Sequence, residues 1–320
     1  MLRTSTYLKH HMTNKISSLL SITLLSISLY SLSSCVKDDF DANHQLVDPS
    51  LSEQKINTGF TKQDVPIKAD NWSISYVKDG ITGEPLKNKA GEPFKLSEAG
   101  VMELESGWLK MEKTADNKLI VSLLENFSDH PRKFIVGLVS DNKLDAITYI
   151  QSRGESYEIV KKDIQEVEGS RKVYRSTEGC STMTITNDTG LEKSFDITAI
   201  FAGVKYSSEF TSEDYGAFDW IAASDSLITM DQLLVDGSVR WKGKVLYKKG
   251  TTLEDFVKES SKEEIKVAPN TTLQVSGEME YLERTCEYTF TIKNASSGHQ
   301  FPVKGTWKQK VPLSPHTRIN

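Results

Sequence analysis

Along most of the chain apolar residues recur with a period of two, in short runs separated by turn residues. Residues 72–77 (Trp-Ser-Ile-Ser-Tyr-Val) place Trp72, Ile74 and Tyr76 on one face, the alternation of a strand. Apolar runs follow at 108–111, 119–124, 134–139 and 146–150, with turn residues at Asp116-Asn117 and within 126–131 and 140–142. Between 78 and 100, Gly80, Gly83, Pro85, Gly91, Pro93 and Gly100 interrupt any periodicity, so this stretch reads as turns. Runs this close together predict an all-β sandwich over residues 66–158.

Residues 159–172 are dense in charge and read as a junction. Beyond it, strand-like runs recur at 181–186, 195–201, 227–234, 238–247, 272–281, 286–293 and 303–308, with turns at 187–190 and 294–298. Residues 253–264 read as the one helix, with Thr251 or Thr252 as cap and Leu253, Phe256 and Val257 on one face. The expected architecture is therefore all-β, two tandem β-sandwich domains, the second spanning 159–320. Within it Val239, Trp241, Gly243, Val245 and Tyr247 alternate with Arg240, Lys242, Lys244 and Lys248. That cationic row reads first as a solvated outer face that blocks edge pairing. Its other reading is a patch for acidic glycans or lipid headgroups.

The amino-terminal segment has a different pattern. Residues 1–15 carry Arg3, Lys9 and Lys15 without an acid, and 16–32 form an uncharged, Ser-diluted apolar run. A basic start followed by a short apolar run describes a secretory signal, and the run falls short of the ~20 residues of a spanning helix. Met12 would open a compact signal of its own. The run ends Leu32-Ser33-Ser34-Cys35, which resembles the bacterial lipobox, a site cleaved before the cysteine that is then acylated. Cleavage would take the formal charge of the 320-residue chain from -5 to -8, because the three charges removed are all positive. An acidic mature chain argues against nucleic acid as partner. Lys37-Asp38-Asp39, just behind Cys35, resembles the export signal of surface lipoproteins in the Bacteroidetes. The implied location is the outer membrane, exposed at the cell surface and held by acyl chains, with residues 35–65 as tether.

Trp72, Gly107-Trp108-Leu109, Asn126 through Arg132 to Val136, and 147–151 ending in Gln151 stand in the order of a BACON domain, an immunoglobulin-like module of Bacteroidetes surface proteins. The resemblance covers a quarter to a third of the chain and implies a sandwich in which glycan binding is an expectation for the family at large. Residue by residue, Asn126 should turn the chain through its side-chain amide, Arg132 should open a strand and pair across the sheet, and Trp72 and Trp108 should fill the core.

Chemistry is sparse. The histidines outside the first 45 residues are His130, His299 and His316, with no metal-ligand spacing, and no nucleophile elbow, phosphate loop or dinucleotide fingerprint occurs. No cofactor and no enzymatic activity are expected. Tyr215, Phe218 and Trp220 lie in a polar stretch and could form a flat platform for sugar rings or fold onto their own sandwich. Cys180 and Cys286 remain after lipidation and could pair in an oxidising compartment, although strand parity sets them on unlike faces. The expected function is non-catalytic binding of host or dietary glycan by a surface lipoprotein, with outer-membrane proteins as further partners. The alternative is a spacer or adhesion component without glycan affinity. Cys35→Ala is expected to abolish acyl labelling and release the chain from membranes, measured by labelling with a fatty-acid analogue and by fractionation.

Overall fold

A computed structural model describes residues 46–319 apart from 60, 142, 223–224 and 257–261. These belong to one unit, Ala42–Asn320. The signal, Cys35 and Lys37-Asp38-Asp39 lie outside the described residues.

The chain is all-β. Its first part contains β1 (Glu53–Ile56), β2 (Thr61–Pro66), β3 (Trp72–Asp79), β4 (Gly100–Glu103), β5 (Leu109–Lys113), β6 (Lys118–Leu123), β7 (Arg132–Ser140) and β8 (Lys143–Gln151). They form two four-stranded sheets, β1-β8-β7-β3 and β2-β6-β5-β4. The central strands bury alternate residues, so Leu109, Met111, Leu119, Val121 and Leu123 of one sheet meet Trp72, Ile74, Phe134, Val136, Leu138, Ile147 and Tyr149 of the other. Phe134 stacks on Tyr149 with centroids 4.8 Å apart. The turn-rich stretch after β3 is tied down by bridges such as Lys78↔Pro85 and Ile74↔Leu96, and it adds Phe94 to the core.

Residues 46–65, expected as tether, belong to this sandwich. Two runs in them are short and polar on one side, but they gain their ladders from strands distant in sequence: β1 pairs parallel to β8, and β2 antiparallel to β6. Leu46 and Val47 are fully buried, and both backbone amides donate to the Asp145 carboxylate, at 3.2 and 3.0 Å.

The second part contains β9 (Tyr157–Glu166), β10 (Lys172–Ser176), β11 (Thr182–Asn187), β12 (Lys193–Asp196), β13 (Lys205–Thr211), β14 (Leu227–Thr229), β15 (Leu233–Val235), β16 (Ser238–Trp241), β17 (Lys244–Leu246), β18 (Gly250–Asp255), β19 (Glu264–Val267), β20 (Thr271–Asn294) and β21 (Gln300–Ile319). At roughly 3.3 Å per residue, the 24-residue β20 runs for about 80 Å. One edge pairs with β21; β11, β10 and β9 pair in turn along the other. Strand β13 joins the far side of β21, and β18 pairs with β13. The expected junction at 159–172 is thus largely strand. Its charges suit β9, whose residues are mostly exposed beside β20. Residues 250–255, expected to be helical in part, form an edge strand in which Thr252 is buried and Leu253 is 63% exposed.

Along β20 the buried positions are odd from Val275 to Tyr281 and even from Leu282 to Asn294. Successive side chains of a strand point to opposite faces, so the strand buries one face near its start and the other near its end. Val275, Met279 and Tyr281 pack with Ile185, Ile197, Ile200, Phe201 and Val267. Cys286, Tyr288, Phe290 and Ile292 pack instead with Phe210, Trp307 and residues of the segment 212–249.

Candidate functional site

Three features carry chemistry: a cleft in the first sandwich, the seam between the sandwich and the long sheet, and the segment inserted between β13 and β18.

The cleft encloses about 510 Å³ and is lined by Trp108, Arg132, His130, Lys87, Glu105 and Asp79, among others. Trp108 is half-buried, meets Phe134 edge-on at 5.5 Å, and carries the Arg132 guanidinium 4.8 Å above its ring. Trp72 is 1% exposed and belongs to the core, as its alternation indicated. Arg132 opens β7 and donates to Gln151 Oε1 at 3.1 Å and to the Leu124 carbonyl at 3.2 Å. Asn126 holds its turn through its own amide, donating to the carbonyls of His130 and Ser152 and accepting from the Ser128 amide.

The seam is built around Glu125, which is 4% exposed. Its carboxylate accepts from Asn294 Nδ2 at 2.8 Å and Tyr157 Oη at 3.0 Å, and meets His299 Nδ1 at 3.1 Å. Burial and the neighbouring Glu125 charge push the Tyr157 phenol up, which keeps it a donor. Asn294 also donates to Thr58 Oγ1 at 3.0 Å, and its carbonyl oxygen accepts from the Ser296 and Ser297 amides. Phe127 fills the space beside this network, with ring centroids 5.3 Å from Tyr157, 5.6 Å from Phe301 and 5.8 Å from Tyr215. Neither Glu125 nor His299 carries a motif. Only the Asn-turn signals at 126 and 294 point to this place, and nothing local shows that the two turns meet.

In the insert, β14 pairs with β17 and β15 with β16. The Met230 amide donates to the Gly243 carbonyl and the Tyr247 amide to the Ser226 carbonyl, so the two pairings belong to one hairpin. Its tip is Asp236-Gly237, both with positive φ (48° and 74°), which is what a two-residue I′ turn requires. The pairing is broken by a register shift at Leu233/Leu234. Ile228, Met230, Val245 and Tyr247 face the long sheet, while Thr229, Asp231, Lys244 and Lys248 face away. Three outward carbonyls of the outgoing arm are capped by side chains: Thr229 by Lys162 at 2.6 Å, Asp231 by Arg284 at 3.0 Å and Leu234 by Arg171 at 2.9 Å.

Tyr215, Phe218 and Trp220 do not stand together as an open platform. Trp220 is 5% exposed, donates to the Ala217 carbonyl at 2.7 Å and packs on Tyr247 at 5.6 Å, with Phe218 on the same ring at 5.0 Å. Tyr215 turns the other way, toward Phe127 and Arg132. The short polar stretch that carries them is apolar inward because the long sheet offers it a core to cover.

Cys180 and Cys286 are both free thiols. They cannot meet because they serve the two opposite faces of the sheet: Cys180 packs with the Val275–Tyr281 cluster and Cys286 with the Tyr288–Ile292 cluster. Among the described residues no three His, Cys, Asp or Glu side chains could hold a metal ion, and no helix is long and apolar enough to cross a membrane.

No family model and no curated protein matches the chain. Solved structures give weak likenesses. A protein from Bacteroides thetaiotaomicron is 19% identical over 35% of this chain and 86% of its own, at a TM-score of 0.26. A lamprey immune protein is 11% identical over 82% of this chain and 98% of its own, at 0.30. An aerolysin-like protein from Bombina maxima is 14% identical over 52% and 97%, at 0.26. At such scores none of them carries an argument about this chain.

Burial pushes both thiols up, with Glu278 adding to the shift at Cys180. A raised thiol holds less thiolate at neutral pH, and the thiolate is the nucleophile. Alkylation of the native chain at pH 7 is therefore expected to be slow, Cys286 slower than Cys180, with both rates climbing as pH rises past 9. Unfolding without reductant should expose both thiols, read by intact mass; two unreacted cysteines would mean a disulfide.

Proposed function

We propose that this chain is a lipid-anchored, surface-exposed outer-membrane protein whose inserted hairpin enters a lipid bilayer, a non-catalytic activity. One feature carries the reading: β14 with β17 and the tip of β15 with β16 keep the same pairing offset on either side of the break at Leu233/Leu234, and at that offset Asp231, Arg240, Lys242 and Lys244 fall on one face. A strand that spans a bilayer needs roughly 9–11 residues with apolar side chains outward and polar ones inward. The arms 226–236 and 237–247 have that length. Regular pairing through the break sets Ile228, Met230, Leu234, Val239, Trp241, Val245 and Tyr247 on one face. Thr229, Asp231, Arg240, Lys242 and Lys244 then share the other with Leu227, Leu233, Val235 and Leu246.

The folded chain already leaves part of the apolar face uncovered, since Val239 is 53% and Leu234 41% exposed. Withdrawing Ile228, Met230, Val245 and Tyr247 from the sheet forfeits about 1.5–3 kcal/mol for each, which apolar lipid returns. Backbone groups set the harder condition, because a lone hairpin has two unpaired edges and lipid satisfies neither. Several copies closing into a barrel would pair them. The carbonyls of Thr229 and Asp231 suit that exchange, because Lys162 and Arg284 cap them now and a neighbouring strand could replace those donors. Inside such a barrel the cationic row would face water.

Gly243 lies at mid-depth of the returning arm, opposite Met230, and a Cβ there meets nothing nearer than 3.5 Å, on Trp241. Gly243→Lys should therefore fold normally but place a charge near the bilayer midplane, at about 2–4 kcal/mol per chain. Dye release from anionic lipid vesicles is expected to fall more than tenfold, whereas Thr229→Lys, on the charged face, should retain it. Equal leakage from both variants, or none from the parent chain, would sink the reading.

A second reading, glycan binding, is favoured by the Trp108 cleft. A sugar ring could rest its apolar face on the part-exposed indole while Asp79, Lys87, Glu105 and His130 bond its hydroxyls. Trp108→Ala is expected to abolish whatever signal the chain gives on an array of plant and mucin glycans. A parent chain that binds none of them would leave the sandwich as a spacer.

A further inference from the structure

We infer that the first sandwich is a latch that holds the inserted hairpin against the long sheet, gripping it at Tyr215 and Gly216. The inference rests on reading the insert as the membrane-engaging element. The insert leaves β13 at Ser212 and immediately crosses the seam. On one side Lys304 of β21 fixes it: the Lys304 amide donates to Asp214 Oδ2 at 2.6 Å, and Ser212 Oγ donates to the Lys304 carbonyl at 2.6 Å. On the other side the sandwich reaches over it. Arg132 Nη2 donates to the Tyr215 hydroxyl, and the guanidinium also stands 5.9 Å from the Tyr215 ring.

Phe127 closes the grip. A Cβ on Gly216 would lie 2.0 Å from its ring, so the sandwich touches bare backbone there, and φ of +68° at Gly216 turns the chain beneath it. The next residue passes the constraint on. The Ala217 carbonyl accepts from Trp220 Nε1 at 2.7 Å and from the Tyr247 hydroxyl at 2.9 Å, and Tyr247 lies at the end of the hairpin's returning arm. Arg132, Tyr215, Ala217 and Tyr247 therefore link the sandwich to the hairpin within a few residues of chain.

Arg132 itself is held by the Leu124 carbonyl and Gln151, independently of the insert, so the anchoring side of the latch persists when the insert moves. Tyr157, Phe301 and the Glu125–His299–Asn294 network fix the seam on which Phe127 sits. A partner that drew the sandwich off the seam would free the root of the hairpin without touching the hairpin. The first domain thereby controls when the second one changes shape.

The test is amide hydrogen exchange of the full chain without lipid. Tyr215→Phe keeps the ring and removes the hydroxyl that Arg132 holds. It is expected to speed exchange at 226–230 and 244–247 about tenfold, while 134–139 in the sandwich and 286–292 in β20 keep the parent rate. Phe127→Ala should act on the same amides and more strongly. Unchanged insert amides in both variants would overturn the latch, as would equal acceleration at 134–139, which reports general loss of stability. An insert that loosens in a protein that never permeabilises vesicles would defeat the membrane reading and leave the latch. Unchanged exchange in a leaking protein would defeat the latch alone.

Discussion

Everything in the second half of the molecule hangs on the backbone ladder of one strand. From Val275 to Lys293, β20 pairs with β21 along one edge, with one register shift at Glu280/Tyr281, and between Thr271 and Asn294 three separate strands pair along the other. A strand obeys a period of two over its whole length, so its side chains fall into two sets that cannot mix. The chain uses both: the odd set closes a small core with residues of 181–204 and 264–267, and the even set offers Tyr288, Phe290 and Ile292 to the insert. Gly305 shows how tight the ladder is at this end. A Cβ there would lie 2.1 Å from the Thr211 carbonyl and 2.5 Å from the Tyr288 hydroxyl, so only glycine lets β13 and the aromatic core approach β21 together.

The same constraint explains why the insert is held by packing and not by ladder bonds. Its strands pair with each other and with no strand of the long sheet. Aromatic contacts hold its inner face: Tyr247 is wedged among Phe210, Phe218, Trp220, Tyr288 and Phe290 at centroid distances of 5.0 to 6.0 Å. Such contacts are strong together but non-directional, whereas the ladders of β20 and β21 must be broken bond by bond. A hairpin held by packing and a few side-chain hydrogen bonds, with no ladder to the long sheet, is the part of the fold that can depart while the rest stays, a difference of local stability within one chain.

Much of the first sandwich was legible. Its strands have clean alternation at Trp72–Val77 and compact apolar runs at 119–124 and 134–139, and local pattern suffices where a strand has one buried face. Strands β1 and β2 were not legible, since Glu53–Ile56 and Thr61–Pro66 bury little and owe their form to β8 and β6. The join of 272–281 and 286–293 into one strand was hidden by Leu282-Glu283-Arg284-Thr285, where the apolar parity changes face and the alternation is interrupted. The stretch 253–264 offered helical spacing, but Gly250–Asp255 went to the free edge of β13, where ladder bonds outweigh propensity. Tyr215, Phe218 and Trp220 could be seen as an aromatic cluster; which way each ring points was decided by the two surfaces that the seam brings to them.

The sequence by itself determined the all-β class, the alternation of the first sandwich, the turn role of Asn126, the turns at 187–190 and 294–298, and the two-faced character of residues 239–248. Each is a local property, written in neighbouring residues whose periods and side-chain amides act over a few positions. Tertiary structure alone decided that Glu125 meets Asn294 and His299, that Cys180 and Cys286 lie on opposite faces, and that Arg132 holds Tyr215 from another sheet. These contacts join residues far apart in the chain, and they follow from which edges pair along β20 and β21. Alternation says that a strand has two faces, but only the finished sheet says what each face meets.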